Sequence, residues 1–140
     1  MDNLFTPAVV LILWTLLMLF MVAATRLPAA TKAGLKMDGM RGGRGVDIDP
    51  QMPDRVAWIS HNYTHLVEQP TLFYATIAIL AIQGAHTELN IALAWLYVVL
   101  RILHSLWQAF VNTIPVRFGL FVLATLSLVG LAINALLVSL

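Results

Sequence analysis

Cysteine is missing from the 140 residues, and charge is scarce, with Asp, Glu, Lys and Arg making up 11% of the chain. Without cysteine there is no disulfide framework, no zinc–thiolate site and no cysteine nucleophile. Soluble globular domains carry roughly 25% charged residues, so the polar surface such a domain needs is lacking. The formal net charge of +1 gives no reason to expect a nucleic-acid partner. No Walker-type spacing and no nucleophile elbow occur, so neither a phosphate loop nor a hydrolase built on Ser60 or Ser105 is expected.

Apolar residues are what the chain has instead. They make up 60% of it, and the mean hydropathy is +0.85. A water-soluble protein of this length has too little interior to hide that much apolar surface. A soluble enzyme, a nucleic-acid binder and a disordered chain are therefore all poor readings, which leaves an integral membrane protein. The residues before the first apolar run include Asp2 and no Lys or Arg, and the run is longer than a secretory h-region, so it reads as a retained span.

Four apolar segments predict an all-α, antiparallel, up-down four-helix membrane bundle in a single domain, with helices at about 5–24, 53–84, 89–111 and 118–140. A loop over 25–54 joins the first two. It carries Arg26, Lys32, Lys36, Arg41 and Arg44, the acids Asp38, Asp47, Asp49 and Asp54, and a glycine-rich run from Gly39 to Gly45 that is costly to hold as a helix. Pro53 and Asp54 suit a helix N-terminus, and Pro70 predicts a kink within the second span. Basic residues in the first loop and Arg117 in the third place both on the cytoplasmic side, with both termini on the other.

Ionisable groups in the middle of a bilayer are costly and turn toward protein or water. In the second span His61, His65, Glu68, Gln69 and Leu72 follow one helical stripe, with Asn62 seven residues before Gln69. In the third, Tyr97, Arg101, His104, Ser105, Gln108 and Asn112 follow another. Glu68 lies 16 residues before Gly84 and Arg101 lies 17 after it, so the two stand at similar depth and are expected to pair. Such stripes also serve as plain interhelical adhesive, each hydrogen bond giving about 0.6 kcal/mol. His61, His65 and Glu68 suit metal ligands on one face, but there is no second ligand motif and no metal site is expected. A path for protons through the histidines and Glu68 stays open as a further reading.

The pattern resembles the MAPEG superfamily, membrane-associated proteins in eicosanoid and glutathione metabolism, and especially its short bacterial members. Four spans in 140 residues, a long first loop, the stretch from Asn62 through His65, Glu68, Gln69 and Pro70 to Tyr74, and Arg101-Ile102-Leu103-His104-Ser105 carry the likeness. The resemblance implies a homotrimer in the bacterial inner membrane. It implies glutathione as cofactor, bound between subunits near the cytoplasmic side, and a lipid or lipophilic small molecule as partner or substrate. Transferases, peroxidases and a non-catalytic scaffold all share the fold. A glutathione-dependent enzyme, a lipid-binding scaffold and a small conducting bundle are therefore three readings of this chain. Anchored on Glu68 and Pro70, Glu68 matches the family's Glu and His65 stands at its Asn. Anchored on Arg55 and Val56, Arg55 and Asn62 match and His65 stands at the Glu; the first register is preferred. Arg101 matches the family's third-helix Arg, with His104 and Gln108 at its two Tyr positions, and Arg117 is the candidate for the Arg near the start of the fourth helix. The resemblance thus implies Arg101, His104 and Arg117 as catalytic residues and Arg55, Asn62, His65, Glu68 and Gln108 as glutathione ligands.

Overall fold

The computed structural model describes residues 3–35, 39 and 41–140. Lys36, Asp38 and Met40 of the first loop, and Asp2 before the first span, lie outside the described residues. The described chain is all-helical. Helix α1 covers Phe5–Lys32, a short 3₁₀ helix covers Gly45–Gln51, and α2 (Asp54–Glu68), α3 (Pro70–Ile82), α4 (Glu88–Phe110) and α5 (Ile114–Ser139) follow. Phe5–Lys32, Asp54–Ile82, Glu88–Phe110 and Ile114–Ser139 are each long and apolar enough to cross a membrane. This is the expected four-helix membrane bundle.

Helix α1 runs eight residues past its expected end at 24. Its boundary is set by backbone geometry and not by the end of the apolar run. Gly34 turns left-handed (φ +74°), and Gly34 and Leu35 donate back to Thr31 and Ala30 at 3.1 Å, closing the orphan carbonyls in a Schellman arrangement. Pro28 sits near that end, where only one backbone bond is lost. Gly84 closes α3 in the same way, with Ala85 donating to Leu80 at 2.9 Å. Pro70 has no N–H to return to the preceding turn, and the second span is interrupted there as expected, dividing into α2 and α3 at Gln69.

In lipid, apolar burial does not drive helices together, so packing and hydrogen bonds must hold them. Phe73 and Tyr97 stack at 4.4 Å between ring centres across α3 and α4. Gly130 lets α5 approach α4: a β-carbon there would lie 3.2 Å from Leu93. Leu11 and Met18 of α1, Leu66 of α2, Ile77 and Leu80 of α3, and Leu131 of α5 fill the remaining core. The outer faces of α1 and α5, including Phe20 and Leu126, are apolar and exposed, as lipid contact requires.

Candidate functional site

Antiparallel packing gathers the C-terminal ends of α1 and α4 and the N-terminal ends of α2 and α5 at one end of the bundle. Arg26, Arg55, His61, His65, His104 and Arg117 consequently share that end. Outermost is a clamp on the first loop. Arg26 of α1 donates to Ser60 Oγ (2.6 Å), to Asp49 Oδ1 (2.7 Å) and to the Gly45 carbonyl, while His61 Nε2 lies 2.7 Å from Asp49 Oδ2. One carboxylate thus ties α1, the 3₁₀ helix and α2 together.

Deeper in, His65 of α2, His104 of α4 and Ile114, Arg117, Phe118 and Phe121 of α5 line a cleft of about 180 Å³. The two imidazoles meet edge to face at 6.1 Å, and Phe121 lies 6.3 Å from His104. Arg117 is held by its own turn: its Nη1 donates to Asn112 Oδ1 at 2.7 Å, and Asn112 adopts a left-handed φ of 59° to end α4. His65 also lines a second cavity of about 610 Å³ with Arg44, Asp49, Ser60, His61, Tyr63 and Thr64. The two spaces therefore adjoin at one side chain.

Behind the cleft, α4 carries two kinds of buried polar group. One kind is satisfied. Ser105 Oγ accepts from Trp14 Nε1 (2.9 Å) and Asn62 Nδ2 (2.8 Å), tying α1, α2 and α4. Tyr97 donates to Gln69 Oε1 (3.3 Å), and Gln69 Nε2 donates to Thr125 Oγ1 (2.9 Å), tying the joint of α2 and α3 to α4 and α5. The other kind is not. Arg101 has no exposed surface; its Nη2 donates to the His65 carbonyl, but Nε and Nη1 have no partner. His104 Nδ1 and Gln108 Oε1 are also buried without one. Unpaired polar atoms in an interior cost free energy and call for an explanation.

The third-span stripe points inward as read, with Tyr97, Arg101, His104, Ser105 and Gln108 all buried; Asn112 lies past the helix end. The second-span stripe is displaced by one residue. Ala57, Ile59, Asn62, Leu66, Pro70 and Phe73 are buried there, with Gln69 bonded between them, while His61, Glu68 and Leu72 are exposed. The expected Glu68–Arg101 pair is accordingly not formed. The Glu68 side chain is 61% exposed and lies 3.6 Å from His65 Nδ1, whereas Arg101 turns inward. One residue is a rotation of about 100°, and Gln69 holds the inward position that Glu68 was given. Arg55 lies exposed in the first turn of α2 and lines neither cavity. Asn62 Nδ2 is committed to Ser105, while its Oδ1 is buried without a partner. Among the described residues no three His, Asp or Glu side chains converge as metal ligands. Trp14, Thr125 and the Arg26–Asp49 link were not foreseen. Their partners lie 91, 56 and 23 residues away along the chain, a separation that no local pattern reports.

The fold and site define a multi-pass helical membrane protein with a cationic, partly unsatisfied interior at one end. The chain matches the MAPEG family over residues 4–137 and belongs to that family. Comparison with curated proteins and with solved structures found no match.

Proposed function

We propose that the protein is a glutathione-dependent transferase or peroxidase acting on lipophilic substrates drawn from the bilayer. The observation that carries this reading is the buried pair Arg101 and His104, with free hydrogen-bonding atoms, set beside a cleft that also holds Arg117. Glutathione carries two carboxylates and a thiol, and it needs guanidinium donors and a polarising group near sulfur. The donor set fits that chemistry. Known ligand sites span about 300–1,000 Å³, so the 180 Å³ cleft suits the thiol end alone. The adjoining cavity, with Arg44, His61 and the Arg26-paired Asp49 on its wall, suits the charged remainder, which carries an ammonium as well as carboxylates. In this reading Arg117 and Arg101 fix negative charge, His65 and His104 hydrogen-bond the ligand, and Gln108 acts behind His104. Phe118 and Phe121 offer an apolar approach from the bilayer side.

The working unit in this reading is a homotrimer in a bacterial inner membrane, with the basic first loop and Arg117 cytoplasmic and both termini on the opposite side. Glu68 supports assembly. It stands at the centre of the Asp54–Ile82 span, and a carboxylate left there facing lipid would cost a few kcal/mol. Calorimetric titration of the detergent-purified protein with glutathione, followed by turnover of an apolar electrophile, tests the reading. Saturable binding with conjugation or peroxide reduction is expected. No binding heat up to millimolar glutathione would overturn it.

A further inference from the structure

Two unsatisfied atoms on α4 are complementary. His104 Nδ1 and Gln108 Oε1 are both buried, both without a partner, and four residues apart on one helix face. Side chains at that spacing are neighbours. One is a ring nitrogen that can carry a proton, and the other is an amide oxygen that can only accept. A small side-chain adjustment or a single water would join them, and the join would place the neutral imidazole's proton on Nδ1. Nε2 is then the unprotonated nitrogen. With Nδ1 sealed in the interior, it is Nε2 that a ligand in the cleft meets.

We infer that His104 is the base that takes the proton from a thiol bound in the cleft, and that Gln108 is the positioning residue that fixes its tautomer. This rests on the glutathione reading above. The S–H bond breaks, its electron pair stays on sulfur, and an N–H bond forms at His104 Nε2. A neutral thiol and a neutral imidazole become a thiolate and an imidazolium.

The guanidiniums of Arg101 and Arg117 attract a thiolate and repel an imidazolium, so the pair forms only with sulfur held beside His104. His104 faces Arg101 on its own helix, His65 on α2 with Glu68 beyond it, and Arg117 on α5. No carboxylate lines the cleft, because Glu68 points away from it. A thiolate between His104 and Arg117 supplies the anion this cluster of cations lacks. Phe121 and Phe118 limit water on the remaining side.

The test uses the detergent-purified, full-length protein with two probes, glutathione and S-methylglutathione, which has no thiol proton. Ultraviolet absorbance reads the thiolate, and calorimetry reads binding. Wild type should show thiolate, and His104→Gln should lower it about tenfold or more. Gln108→Leu should lower it similarly, and Gln108→Glu, which keeps an acceptor, should restore it. S-methylglutathione, which has no thiol proton to give, should still bind all four proteins saturably through its contacts elsewhere. Nitrogen-15 histidine spectra of the unliganded wild type should show the Nδ1–H tautomer at His104. An Nε2–H tautomer, or undiminished thiolate in His104→Gln, would overturn the inference while leaving the glutathione reading intact. Failure of both probes to bind would overturn both.

Discussion

Ser105 and His104 are adjacent on α4, equally buried, and opposite in kind. Ser105 is surrounded by donors that need it, and its hydroxyl closes a three-helix junction with Trp14 and Asn62. His104 has a buried nitrogen with nothing to bond, as do Arg101 and Gln108 on the same face. In a bilayer, where hydrogen bonds and close packing hold helices together, the satisfied set is the structural part of the polar seam. Apart from the bond from Arg101 to the His65 carbonyl, the unsatisfied set adds little to stability, and in the proposed reading it is the part that meets the ligand. Neighbouring polar residues of one stripe thus divide into those that hold the bundle and those that leave capacity within it.

Substitutions that should move one property and not the other can break this division. Arg101→Met should produce the largest change, a loss of glutathione affinity of tenfold or more. The unliganded protein should be as stable as wild type or more so, since replacing a poorly satisfied buried charge by an apolar side chain is often neutral or stabilising. Calorimetry and thermal unfolding in detergent read the two effects, and a stability loss above about 2 kcal/mol would move Arg101 into the structural set. Ser105→Ala should do the reverse. It leaves the Trp14 and Asn62 donors without an acceptor, at a cost of about 1–2 kcal/mol, with glutathione affinity within about twofold of wild type. Asp49→Asn should loosen the clamp by about 1 kcal/mol or less and speed proteolysis in the first loop, read by limited digestion. Glu68→Gln should have the smallest effect on unfolding of the separated subunit, below about 0.5 kcal/mol, because its carboxylate has no partner there beyond His65 at 3.6 Å. A larger loss in the assembled protein than in the subunit would show that a neighbouring copy covers it.

The same contrast explains how much could be read in advance. The spans, the interruption at Pro70 and the inward face of α4 were legible because each has a sharp local cause. Apolar length marks a span, and a missing N–H breaks a helix. On α4 the polar residues repeat on one side while Leu96, Val99, Leu103 and Leu106 occupy the other. Helix α2 lacks that contrast. Ser60, His61, Asn62, Thr64, His65, Glu68 and Gln69 spread polarity around most of its circumference, so spacing alone admits two faces one residue apart. The choice was made by contacts with α4 and α5, through Asn62 and Gln69, which are tertiary and invisible to periodicity. The extra two turns of α1 were missed because a span ends where apolar residues end, whereas a helix continues until a residue such as Gly34 closes it.

Thermal unfolding of the purified protein with and without glutathione tests the central division most directly, in wild type and in Arg101→Met. Ligand at a hundred times its dissociation constant stabilises a native state by about 2.7 kcal/mol, so a concentration-dependent rise in Tm is predicted for wild type. Arg101→Met should unfold at or above the wild-type temperature without ligand and show a much smaller rise with it. An equal rise in both proteins, or none in wild type at millimolar glutathione, would contradict the assignment of the unsatisfied groups to a ligand.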